Sequence, residues 1–133
     1  MATTYFKRAE YLYGGANEIQ FKASSSNEYE AGTLVSTGNA IAFVKAHVKP
    51  GELGAAQGDG VWRVATDDTG ATLGDIFVYD DHAGTIVLTT NSTLTAGTAY
   101  PIVGMVLKVV DDDNGIYDIA VGVGFNTYTV PGE

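Results

Sequence analysis

The sequence predicts an all-β protein: a compact β-barrel or sandwich of short antiparallel strands that follows an extended N-terminal arm. Threonine, valine and tyrosine are frequent in the 133 residues, and glycine occurs 17 times, a composition typical of short strands joined by turns. Several runs alternate apolar and polar residues, whereas no window of a dozen residues has the 3.6-residue period of a helix. The length fits one domain with one core.

The pattern changes near residue 30. Residues 1–30 show neither clear strand alternation nor an amphipathic stripe, and the pair Gly14-Gly15 interrupts any regular element. Residues 31–133 are rich in β-branched runs. We therefore predict an extended N-terminal arm at 1–30 and a single β-rich domain at 31–133, with a short helical turn at 17–21 or 53–57 as an open alternative.

Within the predicted domain, strands are expected where β-branched and aromatic residues alternate with polar ones between turn residues. The predicted strands lie at 33–37, 40–47, 61–65, 76–79, 85–89, 102–110 and 116–123, and 125–130 adds an edge strand. Gly38-Asn39 and Asn114-Gly115 are hairpin signals, and the second is typical of a type I′ turn.

Three aromatic residues lie inside predicted strands: Trp62, Tyr79 and Tyr117. Since Trp62 shares a strand face with Val64, and strands bury alternate side chains, we expect these rings in the core or at a subunit interface. An alternative stays open. Together with Tyr128, such rings can form a platform that stacks on sugars.

Charge and hydropathy exclude two classes of partner. The net charge of −9 argues against nucleic acid, because phosphate contacts need clustered Lys and Arg. No apolar stretch is long enough to cross a bilayer, so we expect no membrane partner. The charge is uneven, +1 over residues 1–50 and −10 over residues 51–133. This asymmetry is typical of an interacting tail, although a chance cluster explains it equally well.

No catalytic or cofactor-binding motif is recognisable. The run Asp111-Asp112-Asp113-Asn114-Gly115 does not fit an EF-hand loop, because glycine stands at position 5 instead of 6 and Gly122 replaces the glutamate of position 12. Asp67-Asp68 and Asp80-Asp81 fall beside glycine at predicted turns, and adjacent residues of extended backbone point to opposite faces. His47 and His82, the two histidines of a cysteine-free chain, have no partner at a zinc-ligand spacing. We therefore expect no enzyme, no cofactor and no metal site, with weak cation binding by clustered carboxylates as a minor alternative.

Four short motifs occur in a familiar order. They are Gly58-Asp59-Gly60-Val61-Trp62-Arg63-Val64, Leu73-Gly74-Asp75-Ile76-Phe77-Val78-Tyr79-Asp80, Gly84-Thr85-Ile86 and Ile102-Val103-Gly104-Met105-Val106. This order resembles the small capsid decoration, or cement, proteins of tailed bacteriophages. Residues 31–35 and 40–44 are similar to the first hairpin of that family, so the resemblance covers about residues 31–123.

The resemblance implies a structural protein without catalytic activity. It implies homotrimers on the outer surface of an expanded phage head, where they contact neighbouring subunits of the major capsid protein and stabilise the shell. It also implies synthesis in the host cytoplasm, and residues 1–8 hold no apolar signal sequence. The chief alternative is a carbohydrate-binding or adhesin module on a virion or cell surface.

The first 13 residues are the predicted contact segment for the capsid or a neighbouring protomer. Its aromatic and basic side chains are of the types enriched at interfaces: Tyr5, Phe6, Lys7, Arg8, Tyr11 and Tyr13. An extended segment of this kind can also add a strand to an exposed sheet edge. An ordinary frayed terminus is the alternative.

Overall fold

The computed structural model describes residues 9–15, 18–23, 25–37, 40–66, 68–80, 83–121 and 127–131. These residues form eleven strands and one 3₁₀ turn at Asp112–Asn114. The strands are β1 Glu10–Tyr13, β2 Glu18–Lys22, β3 Leu34–Thr37, β4 Ala40–Val44, β5 Leu53–Gln57, β6 Gly60–Ala65, β7 Ile76–Asp80, β8 Thr85–Leu88, β9 Ala99–Asp111, β10 Ile116–Val121 and β11 Thr127–Thr129. The predicted all-β fold is confirmed.

The strands form two antiparallel sheets. The larger sheet has the order β1-β6-β10-β9-β7-β8, and β11 pairs with the beginning of β9. The smaller sheet has the order β2-β5-β4-β3. After β1 the chain builds the whole smaller sheet before it returns at β6, which pairs with β1. Among the described strands, β1 therefore forms one edge of the larger sheet.

The segment predicted as an arm contains two paired strands in its described part. β1 pairs with β6, and β2 pairs with β5 over five residue pairs, from Glu18 with Gln57 to Lys22 with Leu53. The alternative of a helical turn at 17–21 or 53–57 is wrong, because this pairing uses the backbone groups of both segments. Apolar and polar residues alternate only weakly in β1 and β2, and pairing with distant strands makes these segments extended.

The strands predicted from alternation are present, with some shifted ends. The hairpin of β3 and β4 is confirmed by four pairs, although its turn at 38–39 lies outside the described residues. β4 ends at Val44 rather than at 47. β9 begins at Ala99 rather than at 102 because β11 pairs with its first residues, and residues 122–126, which overlap the predicted strands 116–123 and 125–130, lie outside the described part of the chain.

The prediction of a type I′ turn at Asn114-Gly115 is wrong. The connection between β9 and β10 is the 3₁₀ turn, after which Gly115 is left-handed with φ 68° and ψ 36°. Side-chain hydrogen bonds favour this longer turn. The Asp112 carboxylate accepts bonds of 2.6 Å from the Gly70 N–H and 2.6 Å from the Tyr117 hydroxyl, and the Asn114 amide donates to Asp111 at 2.8 Å.

Apolar side chains from both sheets form the main core. It contains Trp62, Val64, Phe77, Ile86, Val103, Val106, Tyr117, Ile119 and Val121 of the larger sheet and Ile41 and Phe43 of the smaller one. Tyr117 is fully buried beside Phe77, with ring centroids 5.4 Å apart, and Tyr79 is half-buried against this core. A second cluster, with Val78, Val87, Leu94 and Tyr100, lies on the opposite face, since neighbouring strand residues point apart.

The Asp112 carboxylate makes the stability of the fold dependent on pH. The hydrogen bond from Tyr117, and next the one from Gly70, hold the pKa of Asp112 below its usual range. A carboxyl group whose pKa is lowered by folding stabilises the fold above its unfolded pKa of about 3.9. That contribution is lost as the pH falls through the lower, folded value.

We therefore expect Asp112→Asn to lower the free energy of unfolding at pH 7 and to lower it less as the pH falls below about 4. Urea unfolding of both proteins at pH 7, 4 and 3 measures the difference. Asp113→Asn, the same charge change at the exposed neighbour in the turn, is the control. A deficit of equal size at pH 3 and pH 7 would show that the charge of Asp112 plays no part.

Candidate functional site

The described residues of the predicted contact segment include Tyr11 and Tyr13, which lie on β1. Tyr11 is 48 % exposed and Tyr13 is 63 % exposed, although both are large aromatic residues. Tyr5, Phe6, Lys7 and Arg8 lie outside the described residues. We call residues 9–15 the N-terminal edge, because they present β1 along one side of the larger sheet.

Backbone and side-chain hydrogen bonds hold the N-terminal edge in place. Tyr11 pairs with Trp62 of β6, and Tyr13 pairs with Val61, with an irregularity in register between them. The Ala9 N–H donates to the Gly32 carbonyl at 2.7 Å. At the other end the Gly14 carbonyl accepts bonds from the Tyr11 hydroxyl at 2.9 Å and the Gln57 amide at 3.1 Å.

Two glycines allow the N-terminal edge to approach the rest of the chain so closely. Gly32 has φ +86°, and a Cβ atom there would lie 2.1 Å from the Ala9 carbonyl oxygen. Gly60 has φ +95°, and its Cβ atom would lie 2.6 Å from the Gly14 carbonyl oxygen. Residues with side chains rarely adopt such φ values. Gly32 and Gly60 therefore let the backbone at each end of the N-terminal edge lie close to the rest of the chain.

An aromatic cluster connects the N-terminal edge with the core. The Tyr11 ring meets the Trp62 ring edge-on at a centroid distance of 5.2 Å, and Phe43 lies 4.9 Å from Trp62 on the smaller sheet. The Trp62 indole N–H donates to the Asp59 carbonyl at 3.0 Å, and only 2 % of the residue is exposed. Tyr11 therefore combines an exposed surface with a contact to the buried Trp62 ring.

The buried rings do not form a sugar platform. Sugar stacking needs an exposed ring face, whereas Trp62 and Tyr117 are both buried and Tyr79 packs against the core. Tyr128 packs against the second cluster. The structure brings Tyr11 and Trp62 together, while Tyr79 and Tyr117 lie elsewhere in the main core.

A cavity of about 290 Å³ opens beside Tyr11 where the two sheets meet. Its lining includes the Trp62 side chain, Val44 and Gln57 of the smaller sheet, and two charged residues, Glu10 and Lys45. The Lys45 ammonium donates to Glu18 at 2.8 Å, and this bond raises the pKa of Lys45. The cavity is therefore lined by both apolar and charged residues.

Strand register places two rows of side chains on the outward face beside the N-terminal edge. One row is charged with alternating sign and contains Glu10, Arg63, Asp118 and Lys108; the other is apolar and contains Tyr13, Val61, Ala120 and Met105. Arg63 donates to both carboxylate oxygens of Asp118, at 2.8 and 3.2 Å. Because the rows cross β1, β6, β10 and β9, of which only β9 and β10 are neighbours in sequence, no local signal could have identified them.

The acidic pairs contain structural acceptors. Asp67 and Asp81 lie outside the described residues. The Asp68 carboxylate accepts from the Leu88 N–H at 2.7 Å and from the Asn91 amide at 2.8 and 3.0 Å. These bonds fasten the loop before β7 to the end of β8, so this carboxylate has a structural use.

The described residues contain no helix that is both long and apolar enough to span a membrane. The chain matches no protein-family model, no curated protein and no solved structure.

Proposed function

We propose that this chain is a capsid decoration protein that binds the outer surface of an expanded phage head and stabilises the shell by clamping neighbouring major capsid subunits. One observation carries the proposal. The aromatic and basic segment at residues 5–8 leads directly into an edge strand that exposes Tyr11 and Tyr13. The order of the motifs between residues 31 and 123 resembles that of capsid decoration proteins, and for this reason we propose a capsid as the partner of this surface.

The N-terminal edge has the properties of a protein-contact surface. Tyrosine is among the residues enriched at interfaces and at their energetic hot spots, and Tyr13 continues an apolar row across the outward face. The outer side of β1 also offers backbone groups to which a strand of another chain can add. Charged residues next to an apolar row are the usual arrangement of an interface rim.

Stabilisation of the shell follows from mass action. A protein that binds the assembled lattice, and not its dissociated subunits, shifts the equilibrium toward the lattice by an amount that grows with its concentration. No catalytic residue or cofactor is required for this activity. We also propose that the chain forms a homotrimer, as the family that the motifs resemble does. One trimer can then contact several capsid subunits.

We expect Tyr13→Ser to weaken binding to purified expanded heads by about tenfold or more, since loss of a hot-spot side chain costs about 2 kcal/mol. Co-sedimentation with heads of the phage that carries the gene measures the affinity. The matched control is Leu73→Ser, because Leu73 is an equally exposed apolar residue, at 68 %, outside the N-terminal edge.

Two results would overturn the proposal. One is wild-type protein that binds a glycan array and does not bind heads, which would favour the carbohydrate-binding module. The other is a Leu73→Ser variant that loses as much affinity as Tyr13→Ser, which would exclude the N-terminal edge as the contact surface. Light scattering of the free and head-bound protein tests the trimer, and a single 13.9 kDa chain in both states would exclude it.

A further inference from the structure

An isolated β-bridge joins two loops of the smaller sheet that are far apart in sequence. Tyr29 and Val48 are bridge partners, and each N–H donates to the carbonyl of the other, at 2.9 and 2.8 Å. Both side chains point inward, where Val48 is buried and Tyr29 meets Phe21 edge-on at 5.3 Å. The bridge is therefore a fixed scaffold rather than a loose contact between loops.

The residues next to the bridge partners point the other way, to the surface. Side chains alternate along extended backbone, so Glu28 and Glu30 flank Tyr29 on the outward face and His47 joins them from the opposite segment. All three residues are exposed. One ligand atom from each lies within 4.8 Å of the other two, and His47 Nε2 contacts Glu28 Oε2 directly.

We propose that Glu28, Glu30 and His47 form a binding site for Zn²⁺. The site goes beyond the proposed capsid function and does not depend on it. Zinc is bound by imidazole nitrogen and carboxylate oxygen, and three protein ligands suffice where water takes the fourth position, as it does in catalytic zinc sites. Calcium and magnesium prefer oxygen ligands alone. The imidazole therefore distinguishes this group from an ordinary acidic surface patch.

The arrangement favours binding in two ways. The backbone bridge holds the ligand-bearing segments together before a metal arrives, so less conformational entropy is lost on binding. Two adjacent carboxylates on a protein with a net charge of −9 also attract a divalent cation. Bound zinc would link residues 28–30 to residue 47, across the bridge between Tyr29 and Val48.

Isothermal titration of the metal-free full-length chain with zinc chloride tests the site. We expect saturable binding with one zinc per chain, and a fall in affinity of at least about tenfold in both His47→Gln and Glu28→Gln, since even loss of an outer-shell partner produces that effect. The matched control is Glu52→Gln, which removes an exposed carboxylate that accepts from the Lys49 N–H. Its affinity should equal that of the wild type.

Nuclear magnetic resonance identifies the ligand independently. The chain has two histidines, so zinc should shift the ring signals of one of them, and those signals should be missing from His47→Gln. Circular dichroism establishes that each variant is folded. Zinc affinity unchanged in His47→Gln, an equal loss in Glu52→Gln, or saturable binding of calcium but not of zinc would each overturn the proposal.

Discussion

Replacement of Trp62 by alanine should lower the free energy of unfolding by about 3–5 kcal/mol, the range for deletion of a large aromatic side chain from a core. Trp62 contacts the core on one side through Phe43 and supports the exposed Tyr11 on the other. Its removal also leaves the Asp59 carbonyl without the indole N–H. Thermal and urea unfolding measure the loss.

Tyr13→Ala is the control for this prediction, because the exposed Tyr13 side chain lies on the strand next to Trp62. Exposed substitutions of this kind usually change stability by no more than about 0.5 kcal/mol. A Trp62→Ala protein that keeps the wild-type melting temperature and loses sugar binding would contradict our assignment of Trp62. It would favour the carbohydrate-binding alternative instead.

The fold could be predicted where short-range patterns decide it. Trp62 and Val64 alternate with the less buried Arg63, so the strand and its buried face follow from adjacent residues. β1 and β2 could not be predicted in this way. β1 is held in extended form by pairing with residues 61–63, and β2 by pairing with residues 53–57. Such long-range pairing leaves no period in the local sequence.

The 3₁₀ turn was missed for a related reason. Asn114-Gly115 is a strong local signal for a two-residue turn, but Asp112 accepts hydrogen bonds from Gly70, 42 residues away, and from Tyr117. These bonds favour a longer turn in which Gly115 alone is left-handed. The hydrogen bonds to the Asp112 carboxylate therefore stabilise the 3₁₀ turn over the two-residue turn that the local sequence favours.

The candidate sites also divide into features that the local sequence predicts and features that depend on contacts between distant residues. Tyr11 and Tyr13 could be selected as candidate contact residues from the sequence, because they are aromatic residues that precede a glycine pair. The contact of Tyr11 with Trp62 and the approach of His47 to Glu28 could not. The first depends on the register of β1 against β6 and the second on the isolated bridge between Tyr29 and Val48, and both pairings join segments that lie apart in sequence.

Deletion of residues 2–8 should strongly weaken attachment to expanded heads and leave the protein folded. Among the described residues, the bonds that hold the N-terminal edge include the one from the Ala9 N–H to Gly32, so this deletion keeps β1 and the packing of Tyr11 against Trp62. A deletion through residue 13 would remove that strand and confuse loss of binding with loss of stability.

The expected loss of affinity is at least about a hundredfold, because the deleted segment contains Tyr5, Phe6, Lys7 and Arg8, and two hot spots of about 1.4–2 kcal/mol each suffice for that change. Co-sedimentation with heads measures it, and the melting temperature reports the fold. A variant with residues 2–8 replaced by glycine and serine at the same length separates side chains from chain length. Binding of the deletion variant with wild-type affinity would show that residues 2–8 are an ordinary terminus, whereas normal binding by the glycine-serine variant alone would assign the effect to length.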